Sequence, residues 1–260
     1  MEKVLEYDIV VTGSGSGGMA SAISAARCGA KVLLVEKNGY VGGMTASGIP
    51  FLGYLDKKQR LSVGGFATEF VDMLKERNAA LGIRYDPHHQ SIVVTRPDEV
   101  KVAAAEFCME NGVDIILHST AVDVLVENGA IREITYDCAG TRFTVRASVF
   151  IDGTGDGVIS CLAGAAYEKG TPGVDLQPPS IVYVIGGVDK ERFYQWLEGN
   201  PVELAVQVLK DLYAQLPEDV YIAAYRSYED DQLLGMGYVV MTAGKMANGY
   251  LEHDLHQPTE

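Results

Sequence analysis

The chain has 260 residues, of which 47% are apolar and 22% are charged, and its formal net charge is −14. This composition is typical of a globular protein with one large α/β domain, or with one domain and part of a second. An acidic surface repels phosphate backbones, which argues against a nucleic-acid partner. No apolar run approaches the roughly 20 residues of a membrane span, and no signal peptide opens the chain. We therefore expect a cytoplasmic protein without a membrane partner.

The cysteine spacing predicts neither a metal site nor a redox pair. No two cysteines are close in sequence and no CxxC occurs, so zinc binding and dithiol chemistry have no supporting pattern. We expect each of the four to be a small apolar residue in a reducing compartment: Cys28, Cys108, Cys138 and Cys161.

The N-terminal part alternates buried strands with helices. Tyr7–Thr12 is short, β-branched and bounded by glycine, which predicts a parallel strand. The glycine-rich segment Gly13–Gly18 follows, then an alanine-rich helix over Met19–Cys28 and a second buried strand over Lys31–Val35. This order is that of a βαβ unit.

The next segments are less regular. They comprise an irregular glycine-rich stretch over Gly39–Gly53, a helix over Gly65–Asn78, a loop over Tyr85–Gln90, a strand over Ser91–Thr95 and a helix ending near Glu110. We expect Thr95 to cap that last helix, because a threonine is followed there by a proline and an acid.

The pattern then changes from parallel strands to an antiparallel meander. Val113–Leu117 is an apolar strand of the parallel type. Ala121–Glu127, Ala130–Asp137 and Thr141–Ala147 alternate with period two and are separated by turn residues, which predicts three antiparallel strands. Val149–Asp152 then reads as a separate parallel strand.

A run rich in proline and glycine over 170–179 predicts a domain boundary. We place one domain at 1–172 and a partial second domain at 173–260. The second is expected to contain a strand over Ser180–Gly186 and helices over Lys190–Leu197 and Val202–Leu216.

The glycines of the first turn have the G-x-G-x-x-G spacing of a dinucleotide site. Gly13 permits a tight turn, Gly15 lets the backbone approach a pyrophosphate, and Gly18 lets the helix pack closely on the strand. Glu36 ends the second strand, where a carboxylate can accept hydrogen bonds from ribose hydroxyls and would repel the 2′-phosphate of NADP. A glycine-rich turn in another α/β protein is the alternative, and a Walker loop is excluded because no G-K-[ST] follows.

Several segments extend this pattern: DIVVTGSGSGGMASAISAARCGAKVLLVEKNGYVGG, the meander, VRASVFIDGTGDGVISCLAGA and DLQPPSIVYVIGGVD. Together they resemble the FAD-dependent oxidoreductases of the glutathione-reductase-like superfamily. The similarity is greatest to the branch of fumarate reductase flavoproteins and the heterodisulfide reductase A subunit. The resemblance implies an α/β fold with a Rossmann-like FAD-binding domain, a parallel sheet, a three-stranded meander and the start of a substrate (cap) domain.

The resemblance also implies which residues contact FAD. They are Gly13, Ser14, Gly15, Ser16, Gly17, Gly18, Glu36, Lys37, Gly42, Gly43, Met44, Thr45, Ala121, Val122, Thr154, Gly155 and Asp156. Val122 is expected to meet the adenine through backbone atoms, whereas Asp156 has an alternative role as the cap of the next helix. No histidine occurs over Gly39–Gly53, where the fumarate reductase branch often attaches its flavin, so we expect non-covalent FAD.

The sequence departs from this family at its C-terminal end. Family members continue well beyond this length and return with a Gly-Asp segment that holds the ribityl chain, and nothing after Leu216 resembles it. We therefore expect a fragment, or a chain whose flavin site is completed by another polypeptide.

No catalytic residue stands out. His88 and His89 are expected to be solvated loop residues, Arg96 a surface or capping residue, and His118 a structural residue; Tyr225 and Arg226 have no motif around them.

Three functions remain open. The first is an FAD-dependent oxidoreductase that transfers hydride between a small organic substrate and flavin. The second is an FAD-binding or electron-transfer subunit of a heteromeric complex. For the assembly, the sequence leaves open a partner subunit or a homo-oligomer. The third is a plain NAD-dependent dehydrogenase, which the second glycine pair and the meander disfavour.

Overall fold

The computed structural model describes residues 3–86, 90–169, 180–185, 195, 220–225 and 239–245. The chain divides into two compact units, Met1–Tyr167 and Glu168–Glu260. The assignment of 1–172 to FAD binding and of 173–260 to a substrate domain stays a prediction.

The first unit contains nine strands and four α-helices among its described residues. In chain order they are β1 (Lys3–Thr12), α1 (Ser16–Arg27), β2 (Val32–Val35), β3 (Phe51–Leu52), α2 (Phe66–Glu76), β4 (Arg84–Asp86), β5 (Gln90–Val93), α3 (Pro97–Glu110), β6 (Val113–Ile116), β7 (Ser119–Glu127), β8 (Ala130–Cys138), β9 (Thr141–Asp152) and α4 (Val158–Leu162). A 3₁₀ helix over Gly43–Ala46 lies between β2 and β3.

Six of these strands form one sheet in the order β6-β2-β1-β9-β8-β7. β6, β2, β1 and β9 are parallel, whereas β7 and β8 are antiparallel to their neighbours. The predicted α/β fold, with a parallel sheet and a meander, is confirmed. A small antiparallel sheet, β3-β5-β4, stands apart from it.

The central strands β1 and β2 are covered on both faces where they are continuously apolar, at 9–11 in β1 and throughout β2. Val11 and Leu34 point to the side of α1 and α3, in a cluster that includes Met19. Val10 and Leu33, one residue earlier in each strand, point to the opposite side and pack with Tyr136 of the meander. The meander therefore forms the third layer of the unit.

This layering requires the long strands to bend. Phe143 pairs with Lys3 at the beginning of β1, and Tyr136 pairs with Phe143. Yet the Tyr136 hydroxyl lies 2.7 Å from Oγ1 of Thr12, at the other end of β1. β1 and β9 must fold over together, so the meander returns across the sheet towards its carboxyl edge.

This bend explains why the prediction divided β9 into two strands. Its two predicted parts, Thr141–Ala147 and Val149–Asp152, form one strand that pairs with β8 along its first part and with β1 along most of its length. For the same reason β1 begins at Lys3, four residues before the predicted strand. Pairing with β9 extends β1 into residues whose own sequence does not predict a strand.

The other differences are local. The stretch Gly39–Gly53, expected to be irregular, contains the 3₁₀ helix and β3. Thr95 does not cap α3, since the N-cap residue is Arg96 and no side chain caps the helix. Thr95 instead bridges Ala80, and its buried Oγ1 has no hydrogen-bond partner among the described residues.

The second unit contains a three-stranded antiparallel sheet in its described part, in the order β10 (Ser180–Ile185), β12 (Val239–Lys245), β11 (Val220–Tyr225). β10 was predicted, whereas β11 and β12 were not. The predicted helices over 190–197 and 202–216 lie outside the described residues, Gln195 excepted.

The four cysteines are free, and only Cys108 is buried in the core as predicted. Cys28 and Cys161 are exposed, because the one lies at the end of α1 and the other in the short α4. No helix in the described part of the chain has the length and apolar character needed to cross a membrane. Nor does any group of three or more metal-ligating side chains gather among the described residues.

Candidate cofactor site

The turn between β1 and α1 depends on three glycines packed together. Gly13 has a φ of +91°, and a Cβ on it would lie 2.6 Å from the carbonyl oxygen of Gly153. A Cβ on Gly18 would lie 1.9 Å from the oxygen of Gly13, and one on Gly153 would lie 2.9 Å from the Cα of Gly18. No side chain fits at these positions, so the loop after β9 closes directly on the loop after β1.

The opposite side of the same turn is open. A Cβ on Gly15 or Gly17 would meet no protein atom within 4 Å. Gly15 is the N-cap residue of α1, and no side chain caps the first-turn N–H groups there. Free N–H groups and the positive end of a 12-residue helix therefore adjoin space that two glycines leave clear.

The second glycine pair lies against the first turn. The Gly42 N–H donates to the Ser14 carbonyl oxygen at 3.0 Å. A Cβ on Gly43, whose φ is +51°, would lie 2.9 Å from the Cα of Gly15. The structure thus brings together two glycine motifs that are 27 residues apart in sequence (Gly15 and Gly42).

Glu36 links these loops through its carboxylate, although it is only 4% exposed. Its Oε2 accepts hydrogen bonds from the Ser14 N–H at 2.8 Å and the Ser14 hydroxyl at 2.7 Å. Its Oε1 accepts from the N–H and the side-chain amide of Asn38, both at 2.8 Å. Four donors thus satisfy the buried charge, and two of them, the hydroxyl and the amide, can rotate away.

The turn after β9 is organised by Asp152. Its Oδ1 accepts from the N–H and hydroxyl of Thr154, and its Oδ2 accepts from the N–H and hydroxyl of Ser160. Partial burial raises the pKa of Asp152, but these hydrogen bonds outweigh it and hold the pKa below its usual value of 3.8. The carboxylate is therefore charged at neutral pH and fixes the loop that carries Gly153.

Asp156 does not cap α4, which was the alternative to its predicted role as a cofactor contact. The Val158 N–H donates to the Thr154 hydroxyl at 2.8 Å, and Ser160 donates to Asp152, so these two side chains serve the start of α4. Asp156 is exposed and forms no hydrogen bond or ion pair among the described residues. Its role as a cofactor contact stays a prediction.

The beginning of β7 lies at the same edge, because the Ser119 N–H donates to the Glu36 carbonyl oxygen at 2.9 Å. Ala121 pairs with Tyr136 and Asp123 pairs with Thr135, so Val122 is an extra residue in a β-bulge. A bulge leaves backbone groups outside the ladder. Val122 therefore has no partner residue in the pairing of β7 with β8, and its predicted contact with adenine stays a prediction.

The remaining predicted residues lie around these loops. Ser16, Lys37 and Gly155 are exposed. Met44 is 67% exposed in the 3₁₀ helix, and the Thr45 hydroxyl donates to the Gly42 carbonyl oxygen.

Sequence reasoning missed three supporting residues: Asp152, Gly153 and Tyr136. Gly153 stood in the recognised Gly-Thr-Gly-Asp-Gly string, but its contact with Gly13 depends on the pairing of β1 with β9. Tyr136 had no sequence signal, since its hydroxyl reaches Thr12 only because the meander folds over the sheet. Of the weaker catalytic candidates, His88, His89 and Arg226 lie outside the described residues, Tyr225 is described only as the end of β11, and Arg96 is the N-cap residue of α3.

Comparison with known proteins was consistent with this geometry. Residues 8–250 match the family model described as FAD dependent oxidoreductase. A dihydrolipoyl dehydrogenase of Acholeplasma laidlawii is 28% identical over 239 residues, which are 87% of this chain and 67% of that protein. A thiamine thiazole synthase of Aeropyrum pernix is 24% identical over 155 residues, or 60% of this chain and 53% of that protein.

Among solved structures, a geranylgeranyl bacteriochlorophyll reductase-like protein of Thermoplasma acidophilum has a TM-score of 0.57 at 17% identity. That match covers 93% of this chain and 57% of the other, and at this identity it supports the fold alone. The chain spans about half to two thirds of the length of the two curated relatives described above.

Proposed function

The chain belongs to the FAD dependent oxidoreductase family, and from this premise we propose that its first unit holds FAD non-covalently for hydride transfer with a small organic substrate. The family confirms the predicted cofactor and the predicted enzyme class, and it disfavours the plain NAD dehydrogenase. The nearer relationship to fumarate reductase flavoproteins and the heterodisulfide reductase A subunit is part of the proposal. The action on a small organic substrate is also part of the proposal.

The observation that carries the proposal is the asymmetry of the first turn. Gly13, Gly18 and Gly153 are closed against one another, whereas Gly15 and Gly17 face space without protein atoms. The N–H groups of the first turn of α1 adjoin that space. A pyrophosphate needs this combination of close backbone approach and unpaired N–H donors.

Glu36 suits the ribose next to that pyrophosphate. The Ser14 hydroxyl and the Asn38 amide occupy its oxygens, and either can give way to a ribose hydroxyl while the two backbone N–H donors remain. A 2′-phosphate would bring a second negative charge to a buried carboxylate, so the site favours an unphosphorylated ribose.

Bound flavin supplies the hydride chemistry, and the chain supplies binding and orientation. We assign the pyrophosphate to the turn Gly13–Gly18 with Gly42 and Gly43, and the adenine to the bulge at Val122. Met44 and Thr45 continue from the second glycine pair and are assigned to the flavin side. The turn over 154–156 is assigned to the same cofactor.

The test fills the open side of the turn. We expect Gly15→Val to weaken FAD binding at least tenfold, because the added side chain occupies the place of the pyrophosphate, and to leave the melting temperature of the flavin-free protein unchanged. Gly64→Val is the matched control, since Gly64 also has open space around it and no positive φ. FAD binding is measured by flavin fluorescence during titration of the purified chain.

Three results decide between the proposal and its alternative. Failure of the unaltered chain to bind FAD, or equal affinities of the Gly15→Val variant and the unaltered chain, would overturn the proposal. FAD binding without turnover of any substrate by the isolated chain would instead favour the alternative, a flavin-binding subunit whose site is completed by another polypeptide.

A further inference from the structure

His118 has an unusual backbone conformation. It follows β6 and has a φ of +53°, in the left-handed region that is uncommon for residues other than glycine, although histidine enters it more often than most. Two backbone hydrogen bonds hold this segment. The His118 N–H donates to the Asn38 carbonyl oxygen at 3.1 Å, and the Ser119 N–H donates to the Glu36 carbonyl oxygen at 2.9 Å. Such a conformation persists only where the surroundings impose it, and it is frequent at ligand sites.

The imidazole of His118 lies against the turn that follows Glu36. A Cβ on Gly39 would lie 2.6 Å from Cε1 and 2.8 Å from Nε2 of the ring, so a side chain at position 39 would displace the ring from this place. The residue is nevertheless exposed, and its ring forms no hydrogen bond or ion pair among the described residues. The ring thus packs against Gly39, and neither of its nitrogen atoms has a hydrogen-bond partner among the described residues.

The chain positions around His118 indicate the ligand. Glu36 and the bulge at Val122 are the groups assigned above to ribose and adenine. The His118 N–H donates to the carbonyl oxygen of Asn38, two residues after Glu36, and Val122 follows His118 by four residues. The glycine turn meets Glu36 through Ser14, whose N–H donates to the Glu36 carboxylate. An aromatic ring with two nitrogen atoms suits the face of a purine and the hydroxyls of a ribose.

We propose that His118 is a direct contact for the adenosine half of FAD, with its ring positioned by Gly39. This inference rests on the proposed function, because it assigns a further residue to the same cofactor. It differs from the sequence expectation, which gave His118 a structural role.

The experiment separates the side chain from the backbone. Asparagine and glycine both tolerate the left-handed conformation, so His118→Asn and His118→Gly remove the imidazole without adding backbone strain. We expect both variants to bind FAD roughly three- to tenfold more weakly, as for one lost aromatic or hydrogen-bonding contact. The melting temperature of the flavin-free protein should stay equal or rise.

Gln59→Asn is the matched control, because Gln59 also has a positive φ of 59° and lies in the turn between Leu55 and Leu61. It should leave the FAD affinity unchanged. A change in affinity below threefold for both His118 variants would overturn the inference. So would a loss of affinity accompanied by a lower melting temperature, since this would mean a structural role.

The two proposals can fail separately. If the unaltered chain binds FAD and the His118 variants bind it equally well, only the assignment of His118 fails. If the unaltered chain does not bind FAD, the proposed function fails and the inference with it.

Discussion

The buried hydrogen bond between Tyr136 and Thr12 holds the meander to the strand that enters the glycine turn. The two hydroxyl oxygens are 2.7 Å apart, and Tyr136 is fully buried and stacked on Phe143. Thr12 immediately precedes Gly13. Tyr136→Phe removes one hydroxyl, keeps the ring, and leaves the Thr12 hydroxyl buried without its partner.

The expected cost follows from that unpaired group. A buried polar group that loses its partner costs about 1–3 kcal/mol, whereas replacing both partners with apolar groups of similar shape is nearly neutral. We therefore expect Tyr136→Phe and Thr12→Val each to lower the free energy of unfolding by about 1–3 kcal/mol. The double variant should lose clearly less than the sum of the two single losses.

Urea unfolding of the flavin-free chain near pH 7 measures these losses. Tyr7→Phe is the control, because the Tyr7 hydroxyl donates to Asp114 at an exposed position and should contribute less. The reasoning is refuted if Tyr136→Phe costs no more than Tyr7→Phe, or if the losses of Tyr136→Phe and Thr12→Val simply add.

A pH series gives an independent check. Burial, helped by the negative charge of Asp152, raises the pKa of Tyr136 above its usual 10.0 despite the hydrogen bond to Thr12. The folded protein therefore favours the protonated phenol. Its contribution to stability is complete below pH 10 and is lost as the pH rises further. The Tyr136→Phe variant should lose less stability than the unaltered chain above pH 10.

Two further predictions concern the loop after β9. Gly153→Ala places a Cβ 2.9 Å from both the Gly13 oxygen and the Gly18 Cα, so it should lower the melting temperature of the flavin-free protein and weaken FAD binding, whereas a Cβ on Gly155 meets no atom within 4 Å, so Gly155→Ala should leave that melting temperature unchanged. Equal behaviour of these two variants in thermal unfolding would contradict the packing described. The lowered pKa of Asp152 predicts stability that is present above pH 3.8 and is lost as the pH falls through the folded-state value. Asp152→Asn should therefore be less stable at pH 7 and lose less on acidification to pH 3; an unchanged acid profile would count against this role.

Much of the first unit could be predicted from the sequence, because its signals are local. The G-x-G-x-x-G turn, the acid at Glu36 and the apolar strands on either side depend on spacing within about 35 residues. Short buried strands and an alanine-rich helix leave few other arrangements, and the Asn-Gly pair marks the first turn of the meander.

The tertiary structure alone decided what joins these segments. Because β9 pairs with β1 along most of its length, the two strands predicted over Thr141–Ala147 and Val149–Asp152 form one strand. The same pairing places Gly153 against Gly13. The fold of the meander brought Tyr136 to Thr12, and the packing of His118 on Gly39 set an imidazole against the turn that follows Glu36. Strand pairing and close packing join residues that are up to about 140 positions apart, and no local pattern of side chains encodes them.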